Sequence, residues 1–300
     1  MKLLISGSCG FIGSNFVIQN ADKHDITVLD SLTYAADIHY LDSVKDRIKL
    51  IIADIRNYEE QMPSYDAIVN FAAESSVDVS IKNPRLFAGT NVLGTINMLE
   101  LARKCDAKFL QISTDEVYGD TTGLPPSEEC DMLLPSSPYS ASKASADMFV
   151  LAYARTYGLR TNVTRTCNNY GRHQHEEKLI PKFIKAAIRD HTLTVYGKGE
   201  AIREWIHVED NCEAIMTVLE RGEDGEIYNI GTGERKTVME VAEAILKATG
   251  SKSEIQFVDE RPGEDMRYAL DSLKMRMLGW KPKISFEEGL KRTVEWYVGR

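Results

Sequence analysis

Apolar residues in this chain follow two rhythms. In the first half, short and nearly unbroken runs recur: KLLIS (2–6), ITVLD (26–30), IKLIIAD (48–54), AIVNFAA (67–73) and KFLQIST (108–114). Runs of that length without strict alternation suit strands covered on both faces. Between several of them lie stretches with helical character, 11–20 and 86–104. A further helix is well marked: Ser137 suits the N-cap, Pro138 the first helical position and Gly158 the stop. RTNVTRTC (160–167) then reads as another strand.

Strand and helix alternating in this way predict an α/β fold with a Rossmann-type, doubly wound parallel sheet. Beyond residue 167 the rhythm becomes irregular. A loop leads to a helix over 179–190, a short strand over 193–197, a helix over 208–220, the strand IYNIG (227–231) and helices over 237–250 and 285–299. We therefore expect two lobes: a dinucleotide-binding domain over 1–166 and a smaller, mixed α/β substrate lobe over 167–300. No Pro/Gly/Ser linker separates them, so they should pack closely, with room for segments to be exchanged. Repeats and low-complexity tracts are absent from the sequence.

Composition narrows the function. The 300 residues are 43% hydrophobic and 27% charged, with a formal net charge of -9 and no cluster of lysine and arginine. That balance argues against nucleic acid as a main partner. The apolar start, MKLLISGSCGFIG, meets Gly7 and Gly10 too early for a signal segment or a membrane span. A cytoplasmic protein with no membrane partner is expected. Five scattered cysteines (Cys9, Cys105, Cys130, Cys167, Cys212), none in a CxxC pair, read as free thiols. No metal is expected.

Four features carry chemistry. Gly7, Gly10 and Gly13 follow the first strand and open a helix, where glycine lets a pyrophosphate approach the helix N–H groups. The second strand ends in Asp30, whose carboxylate can accept both ribose hydroxyls of NAD and would repel the 2′-phosphate of NADP. Tyr139 and Lys143 share one helix face at i and i+4. A nearby ammonium favours phenolate, so Lys143 is expected to lower the Tyr139 pKa from about 10 and make it a base for a hydroxyl group. Finally, the fifth strand ends in Ser113-Thr114-Asp115-Glu116-Val117-Tyr118-Gly119. Adjacent carboxylates repel, so this pair belongs either to a solvated loop or to an active site.

Taken together, the glycine turn, Asp30, Asn91 in TNVLGT, the strand-end Ser/Thr and the YxxxK pair resemble the extended short-chain dehydrogenase/reductases. STDEVYG, YSASKASAD, CNNYG, EKLIPKFI, YGKGEAIREWIHVED, YNIGTG and RPGEDMRYALD stand in the order seen in dTDP-glucose 4,6-dehydratases, over nearly the whole chain. The resemblance implies an enzyme of deoxysugar biosynthesis, such as the rhamnose pathway. Its NAD stays bound and is regenerated each turnover. Tyr139 takes the C4 hydroxyl proton, Glu116 takes the C5 proton and a protonated Asp115 releases the C6 hydroxyl as water. Thr114 bonds the C4 oxygen, and hydride returns to C6.

The resemblance also implies the contacts. For NAD these are Gly7, Gly10, Phe11, Ile12 and Gly13 in the turn, then Asp30, Ser31, Leu32 and Thr33 at the second strand end. Asp54, Ile55, Phe71, Ala72, Ala73, Ser75, Thr90, Tyr139, Lys143 and Asn169 complete the set. For the nucleotide sugar they are Ser75, Thr114, Asn168, Lys178, Leu179, Tyr196, Arg203, Asn229 and Arg261, with Glu264 near the nucleotide ribose. A homodimer through helices at 85–104 and 138–157 is implied as well.

The motifs favour dTDP as the nucleotide, and two departures keep UDP as its rival. Glu74-Ser75-Ser76-Val77-Asp78-Val79-Ser80 stands where the family usually has ESHVDRS, and Arg261-Pro262-Gly263-Glu264-Asp265 where it has RPGHD. A C4-epimerase or decarboxylase of the same scaffold, or a non-catalytic NAD-binding regulator, remain as alternatives. The Asp115–Glu116 pair counts against the first two, and the intact set with Tyr139 and Lys143 against the third. The run Arg172-His173-Gln174-His175-Glu176-Glu177 reads as a polar lid over the substrate rather than a metal cluster.

Overall fold

The computed structural model describes residues 1–259 and 265–299. Its strands are β1 (Lys2–Ser6), β2 (Asp25–Asp30), β3 (Ile48–Ile52), β4 (Ala67–Asn70), β5 (Lys108–Thr114), β6 (Thr161–Thr166), β7 (Asn168–Tyr170), β8 (Leu193–Tyr196), β9 (Ile202–His207), β10 (Glu226–Ile230), β11 (Arg235–Thr237) and β12 (Ile255–Val258). Its helices are α1 (Phe11–Asn20), α2 (Val77–Lys82), α3 (Pro84–Phe87), α4 (Thr95–Lys104), α5 (Pro138–Tyr157), α6 (Leu179–Ile188), α7 (Val208–Arg221), α8 (Val238–Thr249), α9 (Leu273–Met277) and α10 (Phe286–Val298).

Seven strands form one sheet in the order β10-β6-β5-β4-β1-β2-β3, all parallel. The apolar runs explain this. Successive strand residues point to opposite faces, and both faces are covered. Leu3 and Ile5 of β1 join Phe16 and Val17 of α1 in one core, while Leu4 packs with Ile68, Phe109, Met98 and Leu99 on the other side. The chain order reverses at β1, between β2 and β4. In open α/β sheets, ligands bind at such a reversal, outside the carboxyl ends of the strands.

The sheet's outermost strand, β10, comes from residues 226–230 and pairs with β6 through Ile227 and Val163. Helix α7 likewise packs against α1. Residues beyond 166 therefore contribute to the large sheet. The remaining strands form two small sheets, β11-β9-β7 and β12-β8. A third core, with Phe183, Val195, Trp205, Ile245, Phe286 and Leu290, lies among α6, α8, α10 and these strands.

Three expectations needed correction. The run 48–54 was expected to be buried on both faces, but β3 is an edge strand and its Ile52 is 63% exposed. The single helix expected over 86–104 is α3, a π-helical turn at Ala88–Gly94, and α4. The widened turn brings the Asn91 side chain inward, where it accepts from Glu74 N at 2.8 Å and donates to Ser142 Oγ at 2.8 Å. Strands β7, β11 and β12 escaped notice because they are short or polar, as in NNY and RKT, and β9 because Arg203 and Glu204 break the apolar pattern of IREWIH. The marked start of α5 holds: Ser137 and Ser140 form a reciprocal cap, and Gly158 ends the helix at φ +66°.

Candidate active site

A cleft of about 320 Å³ runs along the carboxyl ends of the large sheet's strands. Its floor is the glycine turn. Gly7 has φ +71°, and a Cβ there would lie 2.5 Å from Ala72 N; a Cβ on Gly13 would lie 2.4 Å from Gly7 O. Both positions therefore exclude any side chain, and backbone lies open to whatever the cleft holds. Asp30 lines the wall at the end of β2, its oxygens accepting from Cys9 N and Leu32 N, each at 2.8 Å. Burial pushes its carboxyl up from the usual range, and those backbone N–H groups oppose the shift.

Phe11, Ile12, Ser31, Thr33, Asp54 and Ile55 line the same cleft, with Phe71, Ala72, Ala73, Ser75, Thr90 and Asn169 across it. Of the residues expected here, Leu32 is the exception. It takes part through its backbone N–H and has φ +51°, and it does not line the cleft. The crowded glycine turn and the carboxylate at the neighbouring strand end fit a dinucleotide with free ribose hydroxyls. Arg56, not foreseen, lies beside the cleft and pairs with Asp54 at 2.5 Å, holding that carboxyl below its usual range.

Where the cleft reaches β5, the chemistry gathers. Thr114 ends the strand and caps a 3-10 turn at Asp115–Tyr118, which turns both carboxylates off the sheet. Thr114 Oγ1 donates to Asp115 Oδ1 at 3.2 Å and accepts from Glu116 N at 3.3 Å. Asp115 is 3% exposed. Desolvation raises its pKa well above the ordinary value, helped by the neighbouring charges of Glu116 and Glu204 and opposed by Thr114 and Arg203. Glu116 faces both this cleft and the next. The pair is thus a buried carboxyl whose neutral form is favoured, beside a more open carboxylate.

Tyr139 and Lys143 reach the cleft from α5. The expected coupling is corrected by the structure. Lys143 Nζ donates to the Ile112 carbonyl at 2.5 Å, and burial lowers its pKa to about 8. The Tyr139 phenol is pushed up, by desolvation first and then by Glu116, while a hydrogen bond with Thr114 opposes the rise. Behind them, Asp147 and Arg165 form a buried pair at 2.9 Å, and Arg165 also bonds the Tyr118 hydroxyl at 2.9 Å.

A second cleft, about 650 Å³, adjoins the first through Ser75, Glu116, Asn168, Glu177 and Lys178. Leu179, Tyr196 and Arg203 line it, together with Trp205, Lys198 and Tyr268. The Arg203 guanidinium stacks on the Tyr268 ring at 4.5 Å and donates to the Asp265 carbonyl at 2.8 Å. Lys178 donates to Ser75 O at 2.7 Å, joining the two walls. Asn229 corrects an expectation: it is wholly buried, accepts from the Tyr118 hydroxyl, donates to Ser127 O and lines neither cleft. Arg261 and Glu264 lie outside the described residues.

The polar run at 172–177 is divided between two tasks. His173 is 6% exposed, stacked on Tyr40 at 4.1 Å and bonded to Ser14 Oγ at 2.9 Å, so it anchors the segment on α1. Gln174, His175 and Glu177 line the first cleft, and Glu177 accepts from Tyr34 at 2.9 Å. Among the described residues, no group of three or more His, Cys, Asp or Glu side chains is arranged to hold a metal ion. The five cysteines are free; Cys9, Cys167 and Cys212 are buried. No helix among the described residues is long and apolar enough to cross a membrane.

A parallel sheet reversing at β1, a glycine turn under a carboxylate, and a Thr/Tyr/Lys set at the next strand ends define a dinucleotide-binding enzyme of the short-chain dehydrogenase/reductase class. The chain belongs to the GDP-mannose 4,6 dehydratase family, whose model matches residues 4–293. It is 49% identical to the low-salt glycan biosynthesis protein Agl12 of Haloferax volcanii, over 100% of this chain and 99% of that protein. It is 42% identical to the dTDP-glucose 4,6-dehydratase of Salmonella typhimurium, over 99% and 93%. Its fold matches the crystal structure of DesIV, a dTDP-glucose 4,6-dehydratase of Streptomyces venezuelae with NAD bound, at a TM-score of 0.96 and 43% identity, covering 100% of this chain and 98% of that one.

Proposed function

We propose that this protein holds NAD in the first cleft and dehydrates a nucleoside-diphosphate glucose, dTDP-glucose by preference, to the 4-keto-6-deoxy sugar. One observation carries the reading: a buried Asp115, pushed toward its neutral form, and the more open Glu116 sit side by side at the mouth that joins the two clefts, next to Tyr139. An epimerase has no use for that pair. The dTDP-glucose preference is supported by the names of relatives such as the Salmonella enzyme.

In this reading the Gly7–Gly13 turn, Asp30 and the residues around Ala72 hold NAD, which supplies oxidising power at C4 and a hydride for C6, and whose positive oxidised ring favours the phenolate of Tyr139. Tyr139 takes the proton of the C4 hydroxyl, and Thr114 holds the C4 oxygen. The resulting ketone acidifies C5–H, and Glu116 removes that proton. Asp115 gives its proton to the C6 hydroxyl as the C6–O bond breaks and water leaves. Glu116 then returns its proton to C5. Tyr139 has gained one proton and Asp115 has lost one. The Thr114 hydroxyl bonds to both, so it can carry the first to the second and close the cycle. Lys178, Arg203 and Tyr196 bind the nucleotide sugar in the second cleft. The test is incubation with dTDP-, UDP- and GDP-sugars followed by mass spectrometry. We expect loss of one water, fastest with dTDP-glucose; an epimer of unchanged mass would contradict the reading.

The protein acts, we further propose, as a cytoplasmic homodimer, divided into a dinucleotide-binding domain (1–166) and a substrate lobe (167–300) with β10 exchanged into the large sheet. Leu93 beside α4, and Met148, Phe149 and Tyr157 on α5, are exposed apolar or aromatic side chains, and the two elements pack together. Sedimentation should give twice the chain mass, reduced to the monomer in a Leu93→Glu/Met148→Glu variant.

A further inference from the structure

Two carboxyl groups are buried on either side of Cys167, and they are provided for very differently. Thr114 pairs with Thr166 in the large sheet, and Asn168 pairs with Trp205 in the small one. Cys167 is the single step between those pairs. The residue after Thr114 and the residue before Trp205 are Asp115 and Glu204, and the Cys167 thiol is pushed up by burial first and then by both carboxylates.

Glu204 is fully buried and lines neither cleft. It accepts from Gly233 N at 2.8 Å and Leu270 N at 3.3 Å, and pairs with Arg235 Nε at 3.3 Å. A Cβ on Gly231 would stand 2.2 Å from its Oε1, so the surrounding backbone is fitted closely to this carboxylate. Three donors suit an anion. Asp115 has one, Thr114 Oγ1, while its Oδ2 is buried with no hydrogen-bond partner. A carboxyl with so few donors suits the neutral form. Two buried carboxyls with environments this different suit opposite charge states.

We propose that Glu204 is a positioning residue for water elimination: a fixed anion behind Asp115 that keeps the proton on that carboxyl until the C6 oxygen takes it. This rests on Asp115 being the acid. The charged groups acting on Asp115 are Glu116 from its own turn and Glu204 and Arg203 from β9; the two glutamates disfavour its ionisation and Arg203 favours it. Tyr139 of α5 and Cys167 also face this cluster, while Lys143 is turned to the Ile112 carbonyl. Glu116 loses its charge when it takes the C5 proton, and at that moment Asp115 becomes a stronger acid. Glu204 lines neither cleft and is held by its own three donors, apart from the groups that exchange protons with the sugar. It sets the resting state of the acid, and Glu116 triggers its release.

The test is single-turnover water loss from dTDP-glucose by the NAD-loaded protein, measured against pH. Because Asp115 must be protonated, the rate falls as pH rises through its pKa. Glu204→Gln removes a like charge and should move this alkaline limb down by about one pH unit or more, a tenfold loss at fixed pH on the limb. Cofactor reduction below the limb should persist, and Glu204→Asp should restore the limb. Arg235→Gln, at a half-buried site, removes the cation that offsets Glu204 and should move the limb up; it serves even if Glu204→Gln does not fold. A rate lowered equally at every pH with the limb unmoved in either variant would overturn the proposal. Asp115→Asn eliminating water at the wild-type rate would instead overturn the acid itself.

Discussion

The two clefts are built by different means. The first cleft, which we assign to the cofactor, is built largely on backbone: the glycine turn, the Ala72–Ala73 strand end, and Asp30 braced by two N–H groups. The second cleft, which we assign to the nucleotide sugar, is largely side chains, among them Lys178, Arg203, Trp205 and Tyr268, drawn from segments far apart in sequence. Glu116 stands where they meet. A cleft made of backbone has one shape to offer and fails when a Cβ intrudes. One made of side chains can change its ligand by substitution without disturbing its neighbour. Cofactor use should therefore be the rigid property of this fold and nucleotide choice the adjustable one.

That contrast can be broken by substitution. Tyr139→Phe, at the junction, should have the largest effect. Loss of the proton acceptor should cost roughly 10²–10⁴-fold in C4 oxidation, seen as absent absorbance of reduced nicotinamide, with NAD affinity kept. Gly7→Val should act on the cofactor side alone. A Cβ 2.5 Å from Ala72 N and a positive φ should weaken NAD by about 1–3 kcal/mol, roughly tenfold to a hundredfold by calorimetry. Asp30→Ala should do less: about tenfold weaker NAD and relief of NADP exclusion. Equal affinity for both cofactors before and after would remove Asp30 from ribose recognition.

The smallest effect concerns stability. Asp115 has a raised pKa in the fold, so the folded state holds its proton more tightly than the unfolded chain does. Its cost to stability is absent below the unfolded value near 4 and grows as pH rises from there toward the folded pKa. Asp115→Asn should therefore melt higher than wild type at pH 8, by about 1 kcal/mol or roughly 2 °C. The gap should close near pH 4. A gap that widened on acidification would mean that Asp115 is ionised and stabilising.

The same contrast decided what could be read from the chain. The large sheet was legible because β1, β2, β4 and β5 are nearly continuous apolar runs, and the first cleft because its glycines and Asp30 are spaced locally. The π-turn at Ala88–Gly94 was not, since it depends on Asn91 reaching Glu74 and Ser142. The sugar lobe's strands were missed where three polar residues pair across long distances. Tyr139 and Lys143 were found by spacing, but their electrostatics were misread: spacing sees the ammonium four residues away and not the desolvation or Glu116. Glu204 looked ordinary in IREWIH, because only the fold brings it behind Asp115. Asn229 was assigned to substrate by likeness of motif, yet it is spent on Tyr118 and Ser127.

The central claim is that Asp115 and Glu116 remove water after Tyr139 has served oxidation. A single-turnover experiment with dTDP-glucose, following reduced nicotinamide, tests it most directly. In wild type the signal should rise with C4 oxidation and fall as hydride returns to C6. In Asp115→Asn and Glu116→Gln it should rise and stay, with water loss slowed roughly 10²–10⁴-fold. A signal that falls at the wild-type rate in both variants would contradict the account.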